Sequence, residues 1–264
     1  MNRIDDKFKT LNEKGKKALI TFVTAGDPSL EATIELIEAM ENAGADIIEL
    51  GVPFSDPLAE GPVIQAASER ALKNGMKIED VFAVVSRARE KTEIPLILLI
   101  YFNCIFKYGL DDFFKKCEET GVDGVIVPDL PFEEKEEINS TAQEFGINVI
   151  TLIAPTSKER MKRIAKDAKG FVYCVSSLGV TGVREEFHKN LAEFVKEIHS
   201  YTDIPRAVGF GISTPEQVRS IKEFSEGVIV GSAIVKKIEE VDAINKAIEG
   251  VRRLVEELRK ALDE

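Results

Sequence analysis

Short apolar runs alternate with amphipathic stretches along the whole chain. The runs Ala18–Thr24, Ile47–Gly51, Pro95–Tyr101, Gly124–Val127, Asn148–Ile153, Phe171–Val175, Arg206–Gly209 and Gly227–Val230 read as strands. They are continuously apolar, as expected of parallel strands buried on both faces. Between them the period is helical. Leu30, Ile34, Ile37 and Met40 share one face, with Asp27 as the expected N-cap and Pro28 at the first helical position. Ile244, Ile248, Val251, Val255 and Leu258 do the same in the last helix, and a further helix, about Arg3 to Glu13, precedes the first strand.

Eight β-then-α units in about 250 residues predict the α/β class and a (β/α)8 barrel, here with an extra N-terminal helix. No Ser/Gly-rich linker interrupts the series, so residues 1–264 are expected to form one barrel domain. The competing architecture is a doubly wound open sheet, which would want a Gly-x-Gly-x-x-Gly turn or a P-loop after the first strand. That strand runs instead into Thr24-Ala25-Gly26-Asp27-Pro28.

Composition narrows the partners. Lys+Arg number 35 and Asp+Glu 46, a net charge of −11. This argues against nucleic acid, whose affinity comes from cations on phosphates, and against a polybasic membrane contact. The longest apolar run, Pro95 to Phe106, is too short to span a bilayer. The first residues carry charges of both signs and do not read as a signal peptide. Three widely spaced cysteines (Cys104, Cys117, Cys174) fit a reducing compartment, and a cytoplasmic protein is expected. Two histidines, His188 and His199, are too few for a His-rich metal centre.

In such a barrel the chemistry lies at the C-terminal ends of the strands. Glu49 is an acid inside the second apolar run, and burial there would raise its pKa toward neutrality. A loop stiffened by Pro53, Pro57 and Pro62 follows and carries Glu60, the second carboxylate of a possible acid/base pair. On spacing alone Glu60 reads equally as a solvated loop charge. Glycines cluster after the last three strands: Gly179 and Gly182, Gly209 and Gly211, then Gly231-Ser232 opening a helix. Backbone N–H groups at such turns can hold a phosphate without a lysine. The segment Gly179 to Asn190 reads as a polar lid with glycine hinges. Phe22, Leu99, Ile153, Tyr173 and Phe210 fall at strand ends, where together they could wall a flat apolar pocket.

On these motifs the chain resembles the tryptophan synthase α subunit family over nearly its whole length. The matching stretches are Phe22-Val-Thr-Ala-Gly-Asp-Pro28, Glu49-Leu-Gly-Val-Pro-Phe-Ser-Asp-Pro57, Gly179-Val-Thr-Gly182, Gly209-Phe-Gly-Ile-Ser213 and Gly231-Ser-Ala-Ile-Val235. The resemblance implies cofactor-free, metal-free retro-aldol cleavage of indole-3-glycerol phosphate to indole and glyceraldehyde 3-phosphate. It also implies docking of the Asp56 loop on a β subunit that consumes the indole, in an α2β2 complex. Glu49 matches the general acid/base and Tyr173 the tyrosine lining the site. Phe22, Leu99, Ile153 and Phe210 match the indole pocket. Gly182, Gly211, Gly231 and Ser232 match the phosphate turns, and Thr181 the lid threonine that closes on the second carboxylate.

The family motif after strand two is Leu-Ala-Asp-Gly-Pro, and here it is Leu58-Ala59-Glu60-Gly61-Pro62. The added methylene must fold back or crowd the indole N–H. A misplacement near 1 Å costs on the order of a hundredfold, so Glu60→Asp is expected to raise turnover by about tenfold or more. Two alternatives stand beside the full enzyme: a catalytically poor subunit that activates β, and a stand-alone indole-releasing lyase.

Overall fold

The computed structural model describes residues 2–175, 184–209, 211–240 and 243–264. Thr181, Gly182 and Phe210, all expected site residues, lie outside the described residues.

The strands are β1 (Ala18–Thr24), β2 (Ile47–Gly51), β3 (Leu96–Leu99), β4 (Gly124–Ile126), β5 (Asn148–Val149), β6 (Thr151–Ile153), β7 (Val172–Val175), β8 (Arg206–Gly209) and β9 (Gly227–Val230). They pair in parallel in the order β5-β4-β3-β2-β1-β9-β8-β7-β6. β5 and β6 are two halves of the one expected strand, Asn148–Ile153. The first half pairs with β4 and the second with β7. Between them, the Ile150 N–H donates to the Val125 carbonyl at 2.9 Å. One interrupted strand thus joins the two ends of the sheet and closes it into an eight-position barrel.

The continuous apolarity of the strands divides by parity. Ile20, Ile47, Ile97, Ile126, Ile150, Phe171 and Ile229 fill the barrel interior. The alternate residues, such as Leu19, Ile48, Leu98 and Val228, meet the surrounding helices. The helix Arg3–Glu13 closes the bottom with Ile4, Phe8 and Leu11, and the Phe8 ring lies 5.6 Å from that of Phe171.

A repeated device holds the bottom rim. Asp46, Asp123 and Glu226 each stand one residue before a strand, β2, β4 and β9 respectively. Each carboxylate accepts the N–H of a residue near the start of the preceding strand: Leu19 at 2.9 Å, Leu96 at 2.8 Å and Arg206 at 3.1 Å. Each also pairs with an arginine: Asp46 with Arg259, Asp123 with Arg89, and Glu226 with Arg206. Arg206 therefore belongs to the bottom rim and points away from the interior.

Two local expectations fail. Asp27 does not cap the following helix, Leu30–Asn42. Ser29 does, its Oγ accepting the Ala32 N–H at 3.1 Å. Asp27 is instead buried and receives both Nε and Nη2 of Arg70 at 2.8 Å, so its carboxylate is already engaged. The expected lid is also shorter than read. Residues from Arg184 onward are helical, in Arg184–His199, because Leu191, Phe194, Val195 and Ile198 bury one face of that helix. His188 accordingly sits on a helix and not in a loop, and His199 is exposed at its end.

Candidate active site

A cavity of about 670 Å³ opens at the C-terminal ends of the strands. Inward-facing residues build its walls: Phe22 from β1, Glu49 from β2, Leu99 from β3, Ile126 from β4, Leu152 from β6 and Tyr173 from β7. The size and mostly apolar lining suit a flat aromatic group held by a few polar contacts.

Glu49 is the acid in this wall. It pairs in register with Phe22 on one side and Ile97 on the other. Only 1% of the residue is exposed, and its Oε1 has no hydrogen-bond partner. Burial pushes its carboxyl up to about 8. At neutral pH Glu49 is therefore mainly protonated, yet close enough to its pKa to release and recover a proton. Tyr173 stands nearby. Burial first, and the Glu49 charge second, push its phenol well above the ordinary range, so it stays a neutral hydroxyl. Gly209 makes room for it, since a Cβ there would run into the Tyr173 ring.

Glu60 reaches the same cavity from the loop between β2 and the helix Pro62–Lys73. Its carboxylate accepts from the Tyr101 hydroxyl and from its own backbone N–H. The side chain has folded back along its loop, one of the two outcomes the added methylene allows. Burial raises its pKa, while Tyr101 and the backbone N–H pull against that rise. Tyr101 in turn accepts the Ala59 N–H at 2.8 Å, and its ring stacks on Phe54 at 4.7 Å.

Opposite, Gly211, Gly231 and Ser232 line the same cavity. Gly211 has a φ of 74°, a left-handed conformation that L side chains rarely adopt. Gln217 holds this turn, its Oε1 accepting the N–H groups of Ser213 at 2.8 Å and Thr214 at 3.1 Å. Ser232 opens the helix Ser232–Glu239, so the free N–H groups of its first turn and the positive end of its dipole face the cavity. That is an anion cradle without a lysine.

Ile153 is a correction. It is fully buried among the helix-facing residues, and its neighbour Leu152 lines the cavity. Strand parity decides this, because Ile150 and Leu152 point inward and a one-residue step reverses the face. Ile126 and Ile229 are further wall residues that the sequence reading omitted, although the same parity identifies them. Tyr101 had no sequence signal, since its partner lies 41 residues away. Among the described residues no group of three or more His, Cys, Asp and Glu side chains could hold a metal ion.

The profile of the tryptophan synthase alpha chain family matches residues 8–263. The chain belongs to this family. The tryptophan synthase alpha chain of Thermoanaerobacter sp. (strain X514) is 52% identical over 262 residues, covering 99% of this chain and 100% of the relative. That of Clostridium kluyveri is 46% identical over 263 residues, with both chains covered in full. Among solved structures, tryptophan synthase subunit alpha from Legionella pneumophila str. Paris superposes with a TM-score of 0.92 at 40% identity, covering 100% of this chain and 99% of that one. Tryptophan synthase from M. tuberculosis, in its aminoacrylate-bound form, gives 0.88 at 30% identity, covering 99% of this chain and 100% of that one. The fold is that of the family's barrels. The reaction is the family's lyase reaction on indole-3-glycerol phosphate, and the chain pairs with a β subunit. Neither a catalytically poor docking subunit nor a stand-alone lyase is favoured.

Proposed function

We propose that Glu49 shuttles the proton of this cleavage and that Glu60 steadies the indole ring while it does so. The protonated Glu49 carboxyl gives its proton to the ring carbon that carries the glycerol chain. The resulting carboxylate takes the proton of the adjacent glycerol hydroxyl. The carbon–carbon bond then breaks, its electron pair returns to the ring, and the hydroxyl carbon becomes the aldehyde. Glu49 ends protonated as it began, so the protons balance without a cofactor. The observation that carries this reading is a buried carboxyl with a pKa near 8 at the cavity wall.

Glu60, as a carboxylate, accepts the indole N–H and offsets the positive charge that grows there after ring protonation. Tyr173, neutral at working pH, bounds the cavity beside Glu49. Phe22, Leu99, Ile126 and Leu152 exclude water from the ring. The N–H groups at Gly211, Gly231 and Ser232 hold the phosphate. Thr181 and Gly182 are assigned to the lid and phosphate turn, and Phe210 to the indole wall, on family resemblance alone.

The β subunit docks on the loop that carries Asp56, where Leu58 is 92% exposed. Residues 1–264 act as one barrel domain, since β1 pairs with both β2 and β9 and so ties the two ends of the chain. A cytoplasmic location fits three cysteines, none of them in a disulfide. Among the described residues no helix is long and apolar enough to cross a membrane.

The test is turnover of indole-3-glycerol phosphate with saturating β subunit. Glu49→Gln, nearly isosteric but unable to pass a proton, is expected to lose about a thousandfold or more in kcat, within the range for general acid–base catalysis. Turnover within a few-fold of the parent would remove Glu49 from this role.

A further inference from the structure

Glu60 stands on a loop, and a glutamate there has three side-chain torsions to fix before its carboxylate can meet a substrate. The chemistry needs that carboxylate held to a fraction of an ångström. Something must supply the restraint, and the loop backbone alone fixes only the Cα.

The restraint is visible in Tyr101. Its hydroxyl donates to Glu60 Oε2 and accepts the N–H of Ala59, the preceding residue. One oxygen thus fixes both the loop backbone and the carboxylate that the loop presents. Tyr101 itself has little freedom. It is 4% exposed, lies two residues beyond β3 and directly precedes the helix Phe102–Tyr108. The Phe102 N–H that follows donates to Asp129 at 2.9 Å. The Phe54 ring, from the same loop as Glu60, stacks on its other face with an interplanar angle of 17°.

We propose that Tyr101 is the positioning residue for Glu60, holding its carboxylate in the folded-back arc from which it meets the ring nitrogen. This rests on the role given to Glu60 above. Tyr101 acts through Glu60 and is not itself assigned a contact with the substrate. Its hydrogen bond also favours the ionised carboxylate, the form that accepts an N–H. The charged groups bearing on Glu60 are few: burial and the Asp129 carboxylate disfavour its ionisation, and Tyr101 and the Glu60 backbone N–H favour it.

The experiment is a kinetic double-mutant cycle on the complex with β subunit, using Tyr101→Phe, Glu60→Ala and the double variant. Phenylalanine keeps the ring stack and removes only the hydroxyl. Tyr101→Phe is expected to lower kcat about tenfold, with KM within about twofold. The acid limb of its pH profile should move to higher pH, since Glu60 loses a donor to its charged form. Against Glu60→Ala the same change should cost nothing more, because there is no carboxylate left to place. An equal loss in both backgrounds would show that Tyr101 acts elsewhere. A normal Tyr101→Phe enzyme beside an impaired Glu60→Ala enzyme would overturn this proposal alone. A fully active Glu60→Ala enzyme would overturn the reading of Glu60 and this proposal with it.

Discussion

Two buried carboxylates at opposite ends of the barrel are treated in opposite ways. At the bottom, Asp123 is 3% exposed and accepts from the Leu96 N–H, Arg89 and Arg3 at 2.8, 2.7 and 3.0 Å. At the top, Glu49 is 1% exposed, and its Oε1 accepts from nothing. Burial pushes both carboxyls up, but at Asp123 three donors pull against it, and at Glu49 burial acts alone. The bottom holds charge in place, and the top keeps a carboxyl able to exchange its proton. A buried polar atom without a partner costs free energy. At Glu49 Oε1 that cost falls on a group with chemistry to perform.

Removing charge at the two ends should separate stability from activity. The largest effect expected is on folding. Asp123→Ala takes the carboxylate partner from the largely buried Arg89 and should cost about 3–5 kcal/mol of stability, as breaking a buried pair does. Urea unfolding measures it. The kcat of the folded fraction should stay within about threefold, since Asp123 lies at the opposite rim, and a collapse of kcat would join the two ends.

Glu49→Gln should do the reverse. A carboxyl raised from 4.5 to about 8 by folding binds more protons folded than unfolded across that window. Stability therefore falls as pH rises from about 4.5 to about 8. The glutamine variant lacks that loss, so its melting temperature should exceed the parent's by on the order of 10 °C at pH 8.5, and by much less at pH 5. A constant difference across pH would mean that Glu49 does not titrate in this window.

A third change sharpens the top itself. Gly211→Val forces a β-branched residue to a φ of 74° in the turn proposed to hold the phosphate. Affinity for glycerol 3-phosphate should fall about tenfold, an effect of the size such backbone strain carries, while the Glu49 pH dependence stays. Calorimetry with that ligand decides it, and unchanged affinity would remove Gly211 from the cradle.

The smallest effect is expected at Glu60→Asp. The residue pattern predicts a gain of about tenfold or more, but the Glu60 carboxylate already bonds Tyr101 and its own backbone N–H, a fold-back that takes up the extra methylene in our reading. A change in kcat within about threefold is now expected. A tenfold gain would mean that the folded-back arc is not the working one.

The barrel was legible because its signal is local. β1, β2, β8 and β9 begin and end at the predicted residues. An apolar run of that length flanked by helical periodicity has few other solutions. Glu49 was legible for the same reason, as a charge inside such a run. The glycine turns were legible at the strand ends, and Gly211, Gly231 and Ser232 do share one cavity.

What the chain does not display locally, only the tertiary structure decided. Leu152 rather than Ile153 faces the cavity because of the inward parity carried through the break at Ile150, where one strand changes partner. Asp27 was lost to its helix because Arg70, 43 residues on, claims its carboxylate. Asp46, Asp123 and Glu226 look like ordinary surface acids until the barrel closes and brings each to a strand N–H and an arginine. Glu60 was a loop charge in the sequence, and its reach is set by a tyrosine 41 residues away. The residue pattern determines which elements form and in what order, because backbone propensity and burial act over a few residues. Which buried charges find partners is settled across the barrel, where hydrogen bonds and desolvation depend on contacts that no short stretch of chain contains.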